Sequence, residues 1–179
     1  MGLPRRRMAV NLSARQFSDK AFLDMVTRIL AETRLDPSLL ELEITESQVM
    51  RQTEGMIQLL TRLSGMGVQL AIDDFGTGYS SLSYLKRLPI QKLKIDQSFI
   101  ADLSVDADDA AIVQAIMAMA HGLRLGVVAE GVEREDQLQF LRGLGQGEYQ
   151  GFLFSKAVPA AEVERRLMAE RPGTPVPGN

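Results

Sequence analysis

The chain has 179 residues, of which 45% are hydrophobic and 24% charged, and its formal net charge is −3. This composition is typical of a soluble globular domain, and the slightly acidic balance argues against a protein that binds DNA through a basic groove. Because the chain contains no cysteine, disulfides and cysteine-ligated metal sites are excluded, and we expect a reducing compartment, the cytoplasm.

Sequence patterns predict neither a signal peptide nor a membrane contact. The longest apolar stretch, residues 110–120, is shorter than the roughly 20 residues that are needed to cross a bilayer. No apolar segment follows the basic residues near the N-terminus, as a signal peptide would require. We assign residues 1–170 to one domain and expect residues 171–179, which are rich in proline and glycine, to be disordered.

Short apolar segments alternate with longer segments of helical periodicity along the chain. The predicted strands are residues 7–12, 40–45, 68–73, 91–96, 125–130 and 150–154. The predicted helices are residues 19–33, 47–64, 80–87, 108–122, 135–143 and 160–169. Because repeated strand–helix units form a parallel sheet covered by helices, we expect an α/β fold.

Two α/β architectures fit this order, an open doubly wound sheet and a (β/α)₈ barrel. Polar residues lie at or near the carboxyl end of the predicted strands, except Gln150, which opens its own: Asn11, Glu43, Asp73, Asp74, Lys94, Asp96 and Glu130. In a barrel the loops at that end share one mouth, which favours the barrel. Since only six strands are predicted, either two come from elsewhere or the sheet stays open.

Oxygen ligands are concentrated at three successive strand ends, with Asn11, Glu43 and the pair Asp73 and Asp74. Such sets suit Mg²⁺, Mn²⁺ or Ca²⁺ better than Zn²⁺, and the single histidine, His121, lies within a predicted helix. Two metal ions about 4 Å apart, bridged by one aspartate, would explain the adjacent pair. Alone, the pair is better explained by a turn or a helix cap, but the four residues together favour a metal site.

Lys94 alternates with Lys92, so both side chains point to one face of a strand. If this face is the barrel interior, Lys94 lies among carboxylates as a charge partner or as a donor to a phosphate or an attacking water. Otherwise it is an ordinary surface lysine. Asp96 is either a further acid of the site or a helix cap.

Glu130 ends an apolar strand and is followed by a glycine. This position suits a ligand of a second metal or a general base. Glu46 and Glu133 follow the ends of predicted strands, and we expect both to orient loops by hydrogen bonding.

The segments VNLSARQF, LELEITES, AIDDFGTGYSSL, LKIDQSFI, VVAEGVE and QGFLFSKAVP resemble, in order and spacing, motifs of the EAL-domain family of cyclic di-GMP phosphodiesterases. The resemblance covers about Val10 to Pro159. It implies an incomplete TIM-barrel-like (β/α)₈ fold of about six βα units, lacking the first two strands. It also implies hydrolysis of cyclic di-GMP to pGpG with two Mg²⁺ or Mn²⁺ ions, and inhibition by Ca²⁺.

The resemblance also implies roles for individual residues. The implied metal ligands are Asn11, Glu43, Asp73, Asp74 and Glu130. The implied catalytic residues are Lys94, which contacts the attacking water, Glu130, and Glu46, which holds the loop after the aspartate pair. The implied residues on the substrate side are Gln150, Asp96 and Glu133.

The sequence also departs from the family pattern. The E-A-L signature is absent, and with it a glutamate ligand of the first metal and a phosphate-gripping arginine. Gly147 and Ala157 replace the usual acidic residue and proline. We therefore expect a phosphodiesterase with weak or lost activity, or alternatively a non-catalytic cyclic di-GMP receptor or protein-interaction module. The unpaired strand containing Val10 predicts self-association as a dimer.

Overall fold

In the computed structural model of the chain, the described residues are 4–50, 54–78, 82–145 and 147–169. The predicted disordered tail and the predicted start of the third helix at residue 80 lie outside these ranges. None of the described helices is both long enough and apolar enough to cross a bilayer.

Within the described residues, six parallel strands form one sheet. They are β1 (Met8–Asn11), β2 (Leu40–Thr45), β3 (Gln69–Phe75), β4 (Lys92–Ile95), β5 (Gly126–Ala129) and β6 (Glu148–Tyr149). Each strand pairs with the next along the chain, and the sheet curls into a half-barrel flanked by helices. A doubly wound sheet reverses its strand order at a switch point, and this sheet does not. The prediction of an α/β partial barrel is therefore confirmed.

Helices connect the strands. They are α1 (Ala14–Phe17), α2 (Phe22–Thr33), α3 (Glu46–Met50), α4 (Glu54–Gly65), α5 (Leu82–Leu85), α6 (Gln97–Ala101), α7 (Ala107–Leu123), α8 (Glu135–Gly143) and α9 (Ala160–Ala169), with a 3₁₀ turn at Pro37–Leu39. The predicted helix 47–64 corresponds to α3 and α4, between which residues 51–53 lie outside the described ranges. The sequence did not predict α1 or α6, because four or five residues are too short to show a helical period.

Alternate residues of β2 and β4 divide between the two faces of the sheet, as the two-residue period of a strand requires. On one face the apolar residues join the hydrophobic core: Leu42, Ile44, Leu93 and Ile95. On the other face the charged residues Glu41, Glu43, Lys92 and Lys94 are also buried. Burial of charged groups is costly unless they are paired, so this face must supply its own ion pairs.

The prediction of a strand at residues 150–154 is wrong, because the sixth strand is β6 and residues 151–154 form turns. Beyond Gln150 the chain packs on the loop that follows β5. The N–H of Val132 donates to the carbonyl of Gln150 at 3.0 Å, and a Cβ added to Gly151 would lie 2.4 Å from the nitrogen of Val132. Gln150 therefore follows its strand, at the same sheet edge as the other polar residues, instead of opening it.

Candidate metal centre

Three carboxylates meet at the carboxyl edge of the sheet. Asp73 and Asp74 lie at the end of β3, and Glu130 directly follows β5. Each offers an oxygen atom, and these atoms all lie within 4.8 Å of one another. Carboxylates this close repel each other, so the group needs a proton or a cation among them.

Asp74 reaches this group because β3 is irregular at its end. Side chains of successive strand residues normally point to opposite faces, so Asp73 and Asp74 would be separated in a regular strand. The pairing of β3 with β4 shifts register between Ile72 and Phe75, and Asp74 has a left-handed φ of 54°. This conformation is strained for most side chains, but aspartate tolerates it better than most. The irregularity turns both carboxylates toward the same site.

Lys94 is the buried cation of the site. Its ammonium nitrogen lies 2.8 Å from an oxygen of Glu43, 3.0 Å from Asp73 and 2.8 Å from Glu130. Burial alone would lower the pKa of Lys94, but the hydrogen bonds to Glu130, Glu43 and Asp73 outweigh burial and raise it. Lys94 therefore remains an ammonium, and a single positive charge faces several carboxylates.

The surplus of negative charge changes the acidity of two carboxyl groups. Burial raises the pKa of Glu130 to about 7. The hydrogen bond and the charge of Lys94 oppose this rise, and the carboxylate of Asp73 adds to it. Burial, the charges of Asp73 and Asp96, and a hydrogen bond with Asp96 raise the pKa of Asp74. A divalent cation would satisfy the same groups in place of a proton. Hard carboxylate oxygens with excess negative charge fit Mg²⁺, Mn²⁺ or Ca²⁺.

Asn11 and Glu43 extend the site along the sheet. The two residues are register partners at the ends of β1 and β2, with Glu43 buried against Lys94 and Asn11 exposed. Gln150, together with Glu43 and Lys94, lines a cavity of about 180 Å³ on the charged face. The structure thus brings together residues from β1 to β6, including Gln150, whose position in its strand the sequence misjudged.

Asp96 is both a helix cap and an acid close to the site, the two roles that the sequence left open. It caps α6 by accepting a hydrogen bond from the N–H of Ser98 at 2.9 Å, and it also raises the pKa of Asp74. Glu133 is exposed on the loop after Glu130. Its backbone N–H donates to the side chain of Gln137 at 2.9 Å.

Glu46 fixes the loop that follows the aspartate pair. It is 1% exposed, and one carboxylate oxygen accepts hydrogen bonds from the N–H groups of Gly76 at 2.9 Å and Gly78 at 3.2 Å. The loop leaves no room for larger residues, since a Cβ at Gly78 would lie 2.8 Å from the other oxygen of Glu46. Gly76 also has a φ of 103°, which favours glycine.

A second group of charges, not predicted from the sequence, lies deeper on the same face. The ammonium of Lys92 lies 3.1 Å from Glu41 and 2.7 Å from Glu148, and Arg7 lies 3.3 Å from Glu41. Residues from β2, β4 and β6 meet here, as alternate strands do in the interior of a barrel. The signal was present in the sequence, because Glu41 alternates with Glu43 as Lys92 does with Lys94.

A larger groove of about 850 Å³ lies away from these charges, beside α1, α2 and α4. Its lining includes Phe17, Leu23, Met56 and Leu59. None of the predicted site residues is among the described residues that line it. The larger groove is therefore not where the predicted site residues lie. The buried carboxylates mark their position instead.

The arrangement of carboxylates and lysine can be compared with known families. A family model described as EAL domain matches residues 2–157. The chain belongs to the EAL domain family. The resemblance inferred from the sequence motifs is therefore confirmed.

Relatives of this EAL domain include proteins whose names state an activity. The bifunctional diguanylate cyclase/cyclic di-GMP phosphodiesterase MucR of Pseudomonas aeruginosa is 53% identical over 156 residues, which are 87% of this chain and 23% of that protein. The solved structure of the PaMucR phosphodiesterase in a c-di-GMP complex has a TM-score of 0.85 and 52% identity, covering 88% of this chain and 64% of that chain. The chain thus spans less than a quarter of full-length MucR.

A more distant EAL structure was solved with metals. Klebsiella pneumoniae BlrP1, in a manganese/cy-diGMP complex and in a calcium/cy-diGMP complex, has a TM-score of 0.78 and 33% identity. The match covers 85% of this chain and 39% of that chain. EAL phosphodiesterases are metal-dependent. In this EAL domain Asp73, Asp74 and Glu130 form a group that could hold a metal ion.

Proposed function

We propose that this EAL domain binds cyclic di-GMP and hydrolyses it to pGpG with the help of divalent metal ions. The observation that carries the proposal is the group of Asp73, Asp74 and Glu130 around the buried ammonium of Lys94. The 53% identity to a protein named as a cyclic di-GMP phosphodiesterase supports the substrate.

The metal ligands that we propose fall into two sets. Asn11, Glu43 and Asp73 would hold a first ion, and Asp73, Asp74 and Glu130 a second, so that Asp73 bridges them. Bound divalent ions lower the pKa of water and neutralise phosphate oxygens, which is the chemistry that phosphodiester hydrolysis needs. We propose Mg²⁺ or Mn²⁺ as the productive ions and Ca²⁺ as an inhibitor that fills the same site.

The chain's own residues would orient the substrate and the attacking water. Lys94 keeps its proton and donates a hydrogen bond toward the water or a phosphate oxygen. Glu46 holds the loop after Asp74, and Glu130 supports the catalytic centre as a ligand. Gln150, Asp96 and Glu133 would contact the substrate or the loops around it.

Product analysis tests the proposal directly. The chain would be incubated with cyclic di-GMP and Mn²⁺, and pGpG would be quantified by chromatography. We expect pGpG from the wild-type chain, none from Asp73→Ala, and wild-type amounts from Asp24→Ala, which alters an exposed residue of α2. Equal pGpG from wild type and Asp73→Ala would contradict the proposal.

The alternative function is a non-catalytic cyclic di-GMP receptor or protein-interaction module. The names of the relatives favour the enzyme over this alternative. Metal-dependent binding of cyclic di-GMP without any pGpG would identify a receptor. If the chain neither binds nor hydrolyses the dinucleotide, the protein-interaction module would be the remaining alternative.

We also propose that the 179-residue chain self-associates as a dimer in the cytoplasm. Within the described residues β1 pairs only with β2, and its Met8 and Val10 are 62% and 45% exposed. An exposed apolar edge strand is a template for association with another strand. Light scattering at increasing concentration tests this proposal, and a monomer at the highest concentration would contradict it.

A further inference from the structure

Gln137, in the first turn of α8, joins the loop that follows Glu130 to helix α6. Its side chain is 1% exposed. The amide oxygen accepts hydrogen bonds from the N–H groups of Glu133 and Arg134, each at 2.9 Å. The amide nitrogen donates to the carbonyls of Ile100 at 2.8 Å and Ala101 at 3.1 Å. A primary amide has two donors and two acceptor lone pairs, so Gln137 uses its full capacity in this bridge.

The loop and α6 also touch at their other ends. The N–H of Glu130 donates to the carbonyl of Ile95 at 3.2 Å, at the end of β4. Gly131 has a φ of 72°, and a Cβ at that position would lie 2.6 Å from the Cβ of Gln97. The loop carrying Glu130 is therefore pressed against the start of α6 and tied by Gln137 to its end.

Helix α6 leads from Gln137 back to the aspartate pair. It begins directly after Asp96, whose backbone N–H donates to the carbonyl of Phe75, the residue after Asp74, at 3.4 Å. Asp74 and Glu130 lie in the same three-carboxylate group but come from β3 and from the loop after β5. The distance between the carboxylates of Asp74 and Glu130 is not set by direct pairing of β3 with β5, because β4 lies between these strands.

We propose that Gln137 is a positioning residue for the metal centre. Through α6 it sets the distance between the loop that carries Glu130 and the end of β3 that carries Asp74. The inference rests on the proposed function, since it assumes that these carboxylates bind divalent cations. Gln137 does not touch the carboxylates itself. It acts through the Glu133 and Arg134 amides on one side and the carbonyls at the end of α6 on the other.

The glutamine side chain is specific to this role. Gln137→Glu keeps the size and the acceptor, but an ionised carboxylate cannot donate to the carbonyls of Ile100 and Ala101. Gln137→Leu removes every hydrogen bond of the bridge. Leu141→Ala is the matched control, because Leu141 is equally buried on α8 but belongs to the hydrophobic core.

The test is Mn²⁺ binding to the full 179-residue chain, followed by the electron paramagnetic resonance signal of free Mn²⁺. Circular dichroism would establish for each variant a temperature at which it is folded. Residues that orient metal ligands typically change affinity by about tenfold or more, and we expect a rise of this size in Kd for Gln137→Glu and Gln137→Leu. Leu141→Ala should lower the melting temperature and keep the wild-type Kd. Faster hydrogen exchange at the amides of Glu133 and Arg134 should accompany the loss of affinity only in Gln137→Leu, because the carboxylate of Gln137→Glu can still accept their hydrogen bonds.

The outcomes separate this inference from the proposed function. Wild-type Mn²⁺ affinity in the Gln137 variants would overturn the positioning role of Gln137 without contradicting the proposed metal centre. An equal loss of affinity in Leu141→Ala would also overturn it, because the effect would then follow stability alone. A wild-type chain that binds no Mn²⁺ would overturn both the metal centre and the role of Gln137. If Gln137→Leu does not fold, Gln137→Glu alone decides.

Discussion

The ammonium nitrogen of Lys94 lies 2.8 Å from a carboxylate oxygen of Glu130, although the two residues come from β4 and from the loop after β5. The same nitrogen also reaches Glu43 and Asp73. One buried cation therefore holds together carboxylates that would otherwise repel each other. In the metal-free chain Lys94 is the main counter-charge of the site, which makes its removal informative.

Lys94→Met should destabilise the metal-free chain, because three buried or half-buried carboxylates lose their partner. Removing one member of a buried ion pair typically costs about 3 kcal/mol or more. Urea unfolding in the presence of a chelator measures the loss in free energy of unfolding. Lys86→Met, at an exposed position of the same charge, is the control and should be nearly neutral. Equal losses in the two variants would show that the Lys94 ion pairs contribute nothing.

Lys92→Met should show whether the deeper group of charges acts independently of the proposed metal site. Lys92 is buried in the same strand as Lys94, but its partners are Glu41 and Glu148. We expect this variant to lose stability and to keep the wild-type Kd for Mn²⁺, whereas Lys94→Met should change both. Calorimetric titration of Mn²⁺ checks the difference. A large change in Kd for Lys92→Met would mean that the two groups of charges act as one.

The stability of the metal-free chain should fall as the pH rises through 7. The pKa of Glu130 is raised from 4.5 to about 7 by burial, against the opposing effect of Lys94. A carboxyl group with a raised folded-state pKa contributes stability that is complete below the unfolded-state pKa. This stability is lost as the pH rises through the folded-state value. The raised pKa of Lys94 acts only above its ordinary value of 10.5, outside this window.

Urea unfolding from pH 4.5 to 8 in a chelator measures this dependence, with an expected decrease of about 3 kcal/mol. Glu130→Gln removes the titrating group and should flatten the curve. Saturating Mg²⁺ should also flatten it, because the ion replaces the proton. An unchanged slope in Glu130→Gln would assign the pH dependence to another group.

Gly78→Ala should loosen the loop after the aspartate pair. The added Cβ would lie 2.8 Å from an oxygen of Glu46 and would displace the carboxylate that accepts hydrogen bonds from Gly76 and Gly78. Loss of such buried hydrogen bonds costs about 1–3 kcal/mol. The control is Gly122→Ala in α7, where a Cβ meets no atom within 4 Å. There alanine should stabilise the helix by up to about 1 kcal/mol.

Thermal unfolding of both glycine variants checks this prediction, together with hydrogen exchange at the amide of Gly76. Faster exchange is expected in Gly78→Ala and not in Gly122→Ala. If Gly78→Ala proved as stable as the wild type with the same exchange rate, Glu46 would not be the residue that holds the loop.

Much of the site was predictable because parallel strands bring their carboxyl ends to one edge. The strand at residues 40–45 was predicted with its observed bounds, and the two-residue period placed Lys92 and Lys94 on one face of their strand. The approach of Asp74 to Asp73 was not predictable from the period, since it depends on a register shift between β3 and β4.

The remaining differences come from long-range contacts. The apolar residues after Gln150 suggested a strand, but their partners are the loop after β5 and the core rather than a neighbouring strand. Gln137 gave no signal at all, because a glutamine in the first turn of a helix is usually solvated. Its importance follows only from the fold, which packs α8 against the end of α6.

The most direct test of the metal centre is a calorimetric titration of the 179-residue chain with cyclic di-GMP, carried out once in the presence of Ca²⁺ and once in the presence of a chelator. Ca²⁺ should fill the site while supporting little hydrolysis, so that binding is observed without turnover. We expect binding with Ca²⁺, no binding in the chelator, and no binding to Asp73→Ala under either condition. Binding that is equally tight in the chelator, or that survives in Asp73→Ala, would contradict a metal centre formed by Asp73, Asp74 and Glu130.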